Sequence, residues 1–169
     1  MTLRSKLLRL TVGGAAALVL GAAAFAAAPA QAAPVPNHAS GDRVLTAPAA
    51  PPAGAQSTAG VVPNASAPTV SPSVSTIHIA PGASYTCYSG DLCPVVWDYS
   101  TSSYKVFFMF NCARYTLYNW LGSGNYSDRQ SSNALTIFYG AGGSYITSFY
   151  PPKTNVPYDW TPVYYIRNC

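Results

Sequence analysis

An all-β domain is predicted for residues 76–169, on three observations. Aromatic residues concentrate there: all thirteen tyrosines, all three tryptophans and five of the six phenylalanines fall in that stretch. Short runs dense in Val, Ile, Tyr and Phe alternate with Gly-, Pro- and Ser-rich corners, the pattern of half-buried strands joined by turns. No 3.6-residue apolar period persists beyond about two helical turns, and Pro151, Pro152, Pro157 and Pro162 exclude a long helix near the end.

The strands expected in order are 76–80, 94–99, 104–111, 114–118, 133–139, 145–150 and 162–167. Along 104–110, Val106, Phe108 and Phe110 share one face, while Lys105, Phe107 and Met109 share the other. Both faces are largely apolar, which predicts a central strand with neighbours on each side. Gly140-Ala141-Gly142-Gly143 supplies residues able to take positive φ and predicts a hairpin. The polar stretches 99–104, 121–132 and 151–162 are expected to be corners.

Upstream the chain changes character twice. Arg4, Lys6 and Arg9 precede an apolar run from Leu10 to Ala28, and Ala30-Gln31-Ala32 is a small-residue cleavage signal. Residues 1–32 therefore read as a secretory signal peptide, which places the product outside the cell with no membrane anchor after cleavage. Residues 33–75 hold eight prolines, ten alanines and no aromatic. Such a segment buries too little apolar surface to offset chain entropy, so a disordered Pro/Ala-rich linker is expected. His38 falls within it, and Asp42-Arg43-Val44-Leu45 is its one mixed patch.

The whole chain carries a net charge of +4, but three basic residues leave with the signal peptide. From residue 33 onward six basic residues face five acidic ones, a net charge of +1. That balance removes the electrostatic drive for nucleic-acid binding.

Cys87, Cys93, Cys112 and Cys169 are even in number, and in an exported domain they imply two disulfides with three connectivities. Cys87–Cys93 and Cys112–Cys169 are favoured. The first closes Tyr88-Ser89-Gly90-Asp91-Leu92 around a tight turn, and the second pins the last residue. Loop entropy assigns them about 2 and about 4 kcal/mol. Metal-type C-x2-C spacing is absent.

The catalytic inventory is thin. Residues 33–169 contain no glutamate, and the aspartates are Asp42, Asp91, Asp98, Asp128 and Asp159. His78 is the domain's one histidine and is expected at a strand edge facing solvent; no nucleophile-elbow pattern accompanies it. Nothing in the aspartate spacing favours a glycosidase pair. The expectation is a protein that performs no catalysis. Asp128 and Ser131 offer oxygen donors suited to a weak calcium half-site. The competing role for Asp128 is a turn cap that accepts the backbone N–H of Gln130 or Ser131.

Trp120, the Gly-rich turn, Asp128-x-x-Ser131-Ser132 and the run ending Phe138-Tyr139-Gly140 resemble a βγ-crystallin Greek key. Ser127 stands where that pattern usually has an acid or amide. Residues 85–169 further resemble small secreted bacterial peptidase inhibitors of the metalloproteinase-inhibitor type. The matching features are Cys87-x5-Cys93, Asn111-Cys112, Leu117-Tyr118-Asn119-Trp120, the Asp128–Ser132 stretch, Phe138-Tyr139-Gly140, Asp159-Trp160-x-Pro162-Val163 and Ile166-Arg167-x-Cys169. The resemblance implies a disulfide-braced Greek-key sandwich and a monomeric inhibitor of extracellular proteases, presenting either the 87–93 corner or the 121–132 loop. A carbohydrate- or cell-wall-binding module is the second expectation, because exposed tyrosines stack on sugar rings. A crystallin-like structural or weakly calcium-binding protein is the third.

Overall fold

The computed structural model describes residues 41–52 and 66–169; the expected signal peptide and His38 lie outside those residues. Twelve strands are described: β1 (Arg43–Thr46), β2 (Thr69–Ser71), β3 (Ser75–Ile79), β4 (Ser84–Cys87), β5 (Leu92–Asp98), β6 (Ser103–Phe108), β7 (Arg114–Tyr118), β8 (Ser123–Asp128), β9 (Thr136–Tyr139), β10 (Tyr145–Phe149), β11 (Lys153–Asp159) and β12 (Tyr165–Asn168). They form two five-stranded sheets, ordered β11-β8-β5-β6-β3 and β10-β9-β12-β7-β2, and a two-stranded ribbon of β1 and β4. Every pairing is antiparallel. The all-β expectation therefore holds, as a sandwich.

The connectivity repeats. In β5–β8 the first strand pairs with the second and the fourth, while the third crosses to the opposite sheet beside β12. In β9–β12 the same order recurs, and β11 crosses back to lie beside β8. Each four-strand unit thus lends its third strand to the other's sheet, and neither unit has a complete sheet alone. Tyr118-Asn119-Trp120 overlaps the end of β7 and Tyr158-Asp159-Trp160 that of β11, so a short internal repeat marks the two crossovers.

Burial follows strand parity. Leu92 and Val96 of β5, Phe107 of β6 and the adjoining Met109 face the other sheet, where Tyr115, Leu117, Phe138, Ile166, Trp120 and Trp160 complete one cluster. Cys93, Val95, Trp97, Tyr104 and Val106 face the opposite way and are covered by Leu45, Ala47 and Tyr85 of the ribbon segment. All seven residues of β5 are buried, because it lies under cover on both faces. The two apolar faces expected for residues 104–110 are these two clusters, and β6 is flanked by β5 and β3.

Cys87–Cys93 ties the ribbon to β5, and Cys112–Cys169 ties the β6–β7 connection to the end of the chain. Both are the favoured pairings. The Gly140–Gly143 corner joins β9 to β10, with Gly142 and Gly143 at positive φ. Among the described residues no helix is long and apolar enough to cross a membrane.

Two expectations need correction. Residues 33–75 are not linker throughout: Leu45 pairs with Tyr85 and is 4% exposed, Tyr104 donates its hydroxyl to the Ala49 carbonyl at 2.8 Å, and Val70 pairs with Leu117. A Pro/Ala-rich stretch contributes little core of its own, but a few apolar residues docked on a finished sheet are enough to add an edge strand. The 121–132 and 151–162 corners are also largely strand. β8 is central and β11 is an edge strand, where Pro157 is tolerated.

Replacing Leu45 with Ala is expected to cost about 2–4 kcal/mol, from lost burial and the cavity left over Val95 and Trp97. Chemical denaturation measures it, and a change below 0.5 kcal/mol, the usual range for surface substitutions, would return this segment to linker status.

Candidate functional site

Three places in the fold hold the residues singled out above. The first is the end of β8. Gly124 lies where a Cβ would stand 2.0 Å from the Val95 carbonyl oxygen and 2.7 Å from the Trp160 ring nitrogen. Only glycine lets β8 run close enough for the Trp160 indole N–H to reach that carbonyl at 3.0 Å. The strand then buries Asn125, Tyr126, Ser127 and Asp128, which explains its polar composition: Ser127 Oγ accepts the Asn155 N–H at 2.9 Å.

Asp128 is fully buried. Its Oδ1 accepts the Gln130 N–H at 3.0 Å and its Oδ2 accepts the Thr136 hydroxyl at 3.2 Å. Burial raises its pKa above the ordinary carboxylate value, against the opposing pull of those two bonds and of the Lys153 and Arg129 charges. This is the turn-cap geometry. Ser131 sits at the exposed corner beyond, its carbonyl accepting the Ala134 N–H at 2.9 Å. Each Asp128 oxygen already accepts one protein donor, and among the described residues no three His, Cys, Asp or Glu side chains gather as a metal-binding group.

His78 and Asp98 form the second place. The imidazole Nε2 lies 3.0 Å from Asp98 Oδ2, and Ser100 donates both its hydroxyl (2.6 Å) and its N–H (2.9 Å) to Oδ1. The histidine is a partly exposed strand residue, as expected, but it is paired; its side chain is 43% exposed and that of Asp98 is not exposed at all. The carboxylate stands between imidazole and hydroxyl, so Ser100 is bonded to the acid and not to the base that a nucleophile requires. Burial pushes the Asp98 pKa up, and the bonds from Ser100 and His78 together outweigh it, leaving it below the ordinary value.

The third place is the corner closed by Cys87–Cys93. Gly90 N–H donates to the Arg129 carbonyl at 2.8 Å, Arg129 N–H to the Asp91 carbonyl at 2.8 Å, and Asp91 N–H to the Tyr88 carbonyl at 3.1 Å. Ser89 N–H donates to Asp42 Oδ1 at 3.0 Å, and the Arg129 guanidinium donates twice to the Gly41 carbonyl. Gly90 holds φ +95° with Phe110 directly over it, so a Cβ would lie 2.7 Å from that ring. Beside the corner is a shallow groove of about 420 Å³ lined by Ile77, Tyr88, Phe108 and Phe110 among others. Phe110 is 66% exposed.

Of the two loops expected to face a partner, the 87–93 corner is present; half of the 121–132 stretch is strand β8, buried from Gly124 to Asp128. Sequence reasoning missed Asp42 and Arg129 as the braces of the corner and Phe110 as its neighbour. The bracing residues lie 47 and 39 positions from the ones they hold, and no local pattern reports such pairs. Compared with protein-family models, curated protein sequences and solved structures, the chain matches none.

Asp128→Ala is expected to lower stability by about 1–3 kcal/mol, because it removes the acceptor of the Gln130 N–H and leaves the buried Thr136 hydroxyl only its bond to Gln130 Oε1. Asp128→Asn should cost less, since it keeps an acceptor and removes a buried charge; equal unfolding midpoints for wild type and Asp128→Ala would refute the cap. A carboxyl with a depressed folded pKa stabilises fully above its unfolded value, and that contribution is lost as pH falls through the folded value. The gap in melting temperature between wild type and Asp98→Asn should therefore narrow as the pH is lowered from about 5 toward 3. A gap that widens on acidification would contradict the assignment.

Proposed function

We propose that this protein is a secreted, non-enzymatic inhibitor of extracellular proteases and that it works through the corner at residues 87–93. One observation carries the reading: the corner Tyr88-Ser89-Gly90-Asp91 is closed by a disulfide and held by four hydrogen bonds to its backbone, beside the exposed ring of Phe110. Inhibition by a protein loop requires that the loop bind without ordering cost and resist cleavage, and preorganisation supplies both. The apolar rim gives the partner an aromatic anchor of the kind that dominates protein interfaces.

The resemblance to metalloproteinase-type inhibitors points the same way, and the exchanged third strands of the two four-strand units support the βγ-crystallin-like Greek-key reading of the fold. Two disulfides with no free cysteine among the described residues suit an oxidising, extracellular setting. The working form is a monomer.

The test uses protein that retains everything from Gly41 onward, because β1 and the brace to Gly41 belong to the folded unit. Titration against a panel of secreted metallo- and serine proteases is expected to show inhibition at micromolar concentration or below. Phe110→Ala should weaken it at least tenfold, the scale of an anchor residue worth more than about 1.4 kcal/mol, at unchanged melting temperature. Folded protein that leaves every protease in the panel uninhibited would sink the reading.

A further inference from the structure

The outer face of the β10-β9-β12-β7-β2 sheet lies in the layer opposite the 87–93 corner and takes no part in the function just proposed. Strand register places Arg114 of β7 directly opposite Arg167 of β12. Both are exposed. Residues directly opposite on an antiparallel pair stand about 5 Å apart at Cβ, and like charges there are destabilising. No aspartate or glutamate occurs in any of this sheet's five strands. Among the described residues no ion pair to a carboxylate is formed by Arg114 or Arg167. Two adjacent cations kept without a counter-charge make a site for an anion.

The aromatic side chains of the same face shape that site. The Arg114 guanidinium lies 4.9 Å from the Tyr139 ring centre and 4.5 Å from that of Tyr165, fixed by cation–π contact with both. Its Nη2 also fits against Gly143, where a Cβ would approach to 3.1 Å. A guanidinium held by its faces keeps its edge N–H groups free to grip a planar carboxylate in the two-point manner that lysine cannot reproduce. Tyr145 is aligned with Tyr139, and Tyr139 with Tyr165, in one row across three strands. The row spans two strand spacings, about 10 Å, room for about two sugar rings side by side. Tyr145 at the end of the row is 65% exposed and Tyr118 beyond Arg114 is 49% exposed, which leaves rings open for stacking.

We infer that this face binds an acidic polysaccharide, a pyranose chain bearing carboxylates, with Arg114 and Arg167 pairing to uronate groups and Tyr145 and Tyr118 stacking on sugar rings. A flat, aromatic and hydroxyl-bearing sheet face suits a sugar chain better than an acidic peptide, whose side chains would need pockets. The binding rests on these residues alone and stands or falls separately from protease inhibition.

Affinity electrophoresis of the whole chain through gels containing polygalacturonate, neutral dextran or polyglutamate tests it. The expected result is retardation by polygalacturonate only, weakening as salt is raised. Arg114→Ala and Arg167→Ala should each reduce the affinity at least tenfold, Arg114→Lys should fail to restore it, and Tyr145→Ala should reduce it several-fold. Circular dichroism and protease inhibition should be unchanged in all four variants. No retardation by polygalacturonate, retardation that survives both arginine substitutions, or equal retardation by dextran would overturn the inference. Equal retardation by polyglutamate would also overturn it, since the face would then be a site for acidic peptide.

Discussion

The fold depends on Trp160. Its ring is fully buried, and its indole N–H reaches past β8 of the same sheet to the Val95 carbonyl of β5, through the gap left by Gly124. The ring meets Trp120 edge-on at 5.1 Å and contacts Tyr126, Phe138 and Tyr158 as well. Trp120 closes the β7 crossover and Trp160 the β11 crossover, so the two strands exchanged between sheets are secured at one contact. A strand exchange of this kind brings together residues distant in sequence and defers their reward until late in folding. A dense aromatic junction, with each indole N–H satisfied by a backbone carbonyl, repays that cost where the two units meet.

Around this junction the molecule is built in three layers, and the middle one is the most constrained. β5 has the other sheet on one face and the β1–β4 ribbon on the other, so none of its residues can be polar without a partner. Asp98 obeys this by taking bonds from Ser100 and His78. Pro94 lacks an N–H, and it falls where the β5–β6 ladder is interrupted, between the Leu92–Met109 bridge and the Val95–Val106 pair. The short disulfide then holds the ribbon against this strand. The rigidity of the 87–93 corner is thus inherited from the core beneath it and does not originate in the loop sequence.

The strands legible in the sequence were those whose side chains announce burial: β6 and β7 by dense apolar and aromatic runs, β9 and β10 by the glycine corner between them. β8 was illegible because Ser123-Gly124-Asn125-Tyr126-Ser127-Asp128 looks like a turn. Its glycine is required by a close approach from β5, and its polar residues are buried against partners on β11 and at Thr136. β1 and β2 were hidden by Pro/Ala-rich surroundings, since their place is set by the sheets they join and not by their own composition. At the candidate site the disulfide and the Asp128 cap were readable, because each is a local or compositional signal. The braces from Asp42 and Arg129 were not, because they are long-range. The Tyr-x-Trp repeat at residues 118–120 and 158–160 was present in the sequence and acquires its meaning only from the matching strand exchange.

A chain with so few charges cannot recruit partners by long-range attraction, and its aspartates are committed differently from its arginines. Asp98 and Asp128 are buried and spend their oxygens on hydrogen bonds within the fold; Asp42 braces the corner. Arg129 is likewise used internally, donating to the Gly41 carbonyl. Arg114 and Arg167 are left on a sheet with no acid, held in place by tyrosines. The same economy that makes one face rigid through disulfide and backbone bonds leaves positive charge uncompensated on the opposite layer. Because the core of both sheets separates the two surfaces, occupation of one does not obstruct the other. The proposed acidic-polymer face and the proposed inhibitory corner therefore do not compete for the same surface.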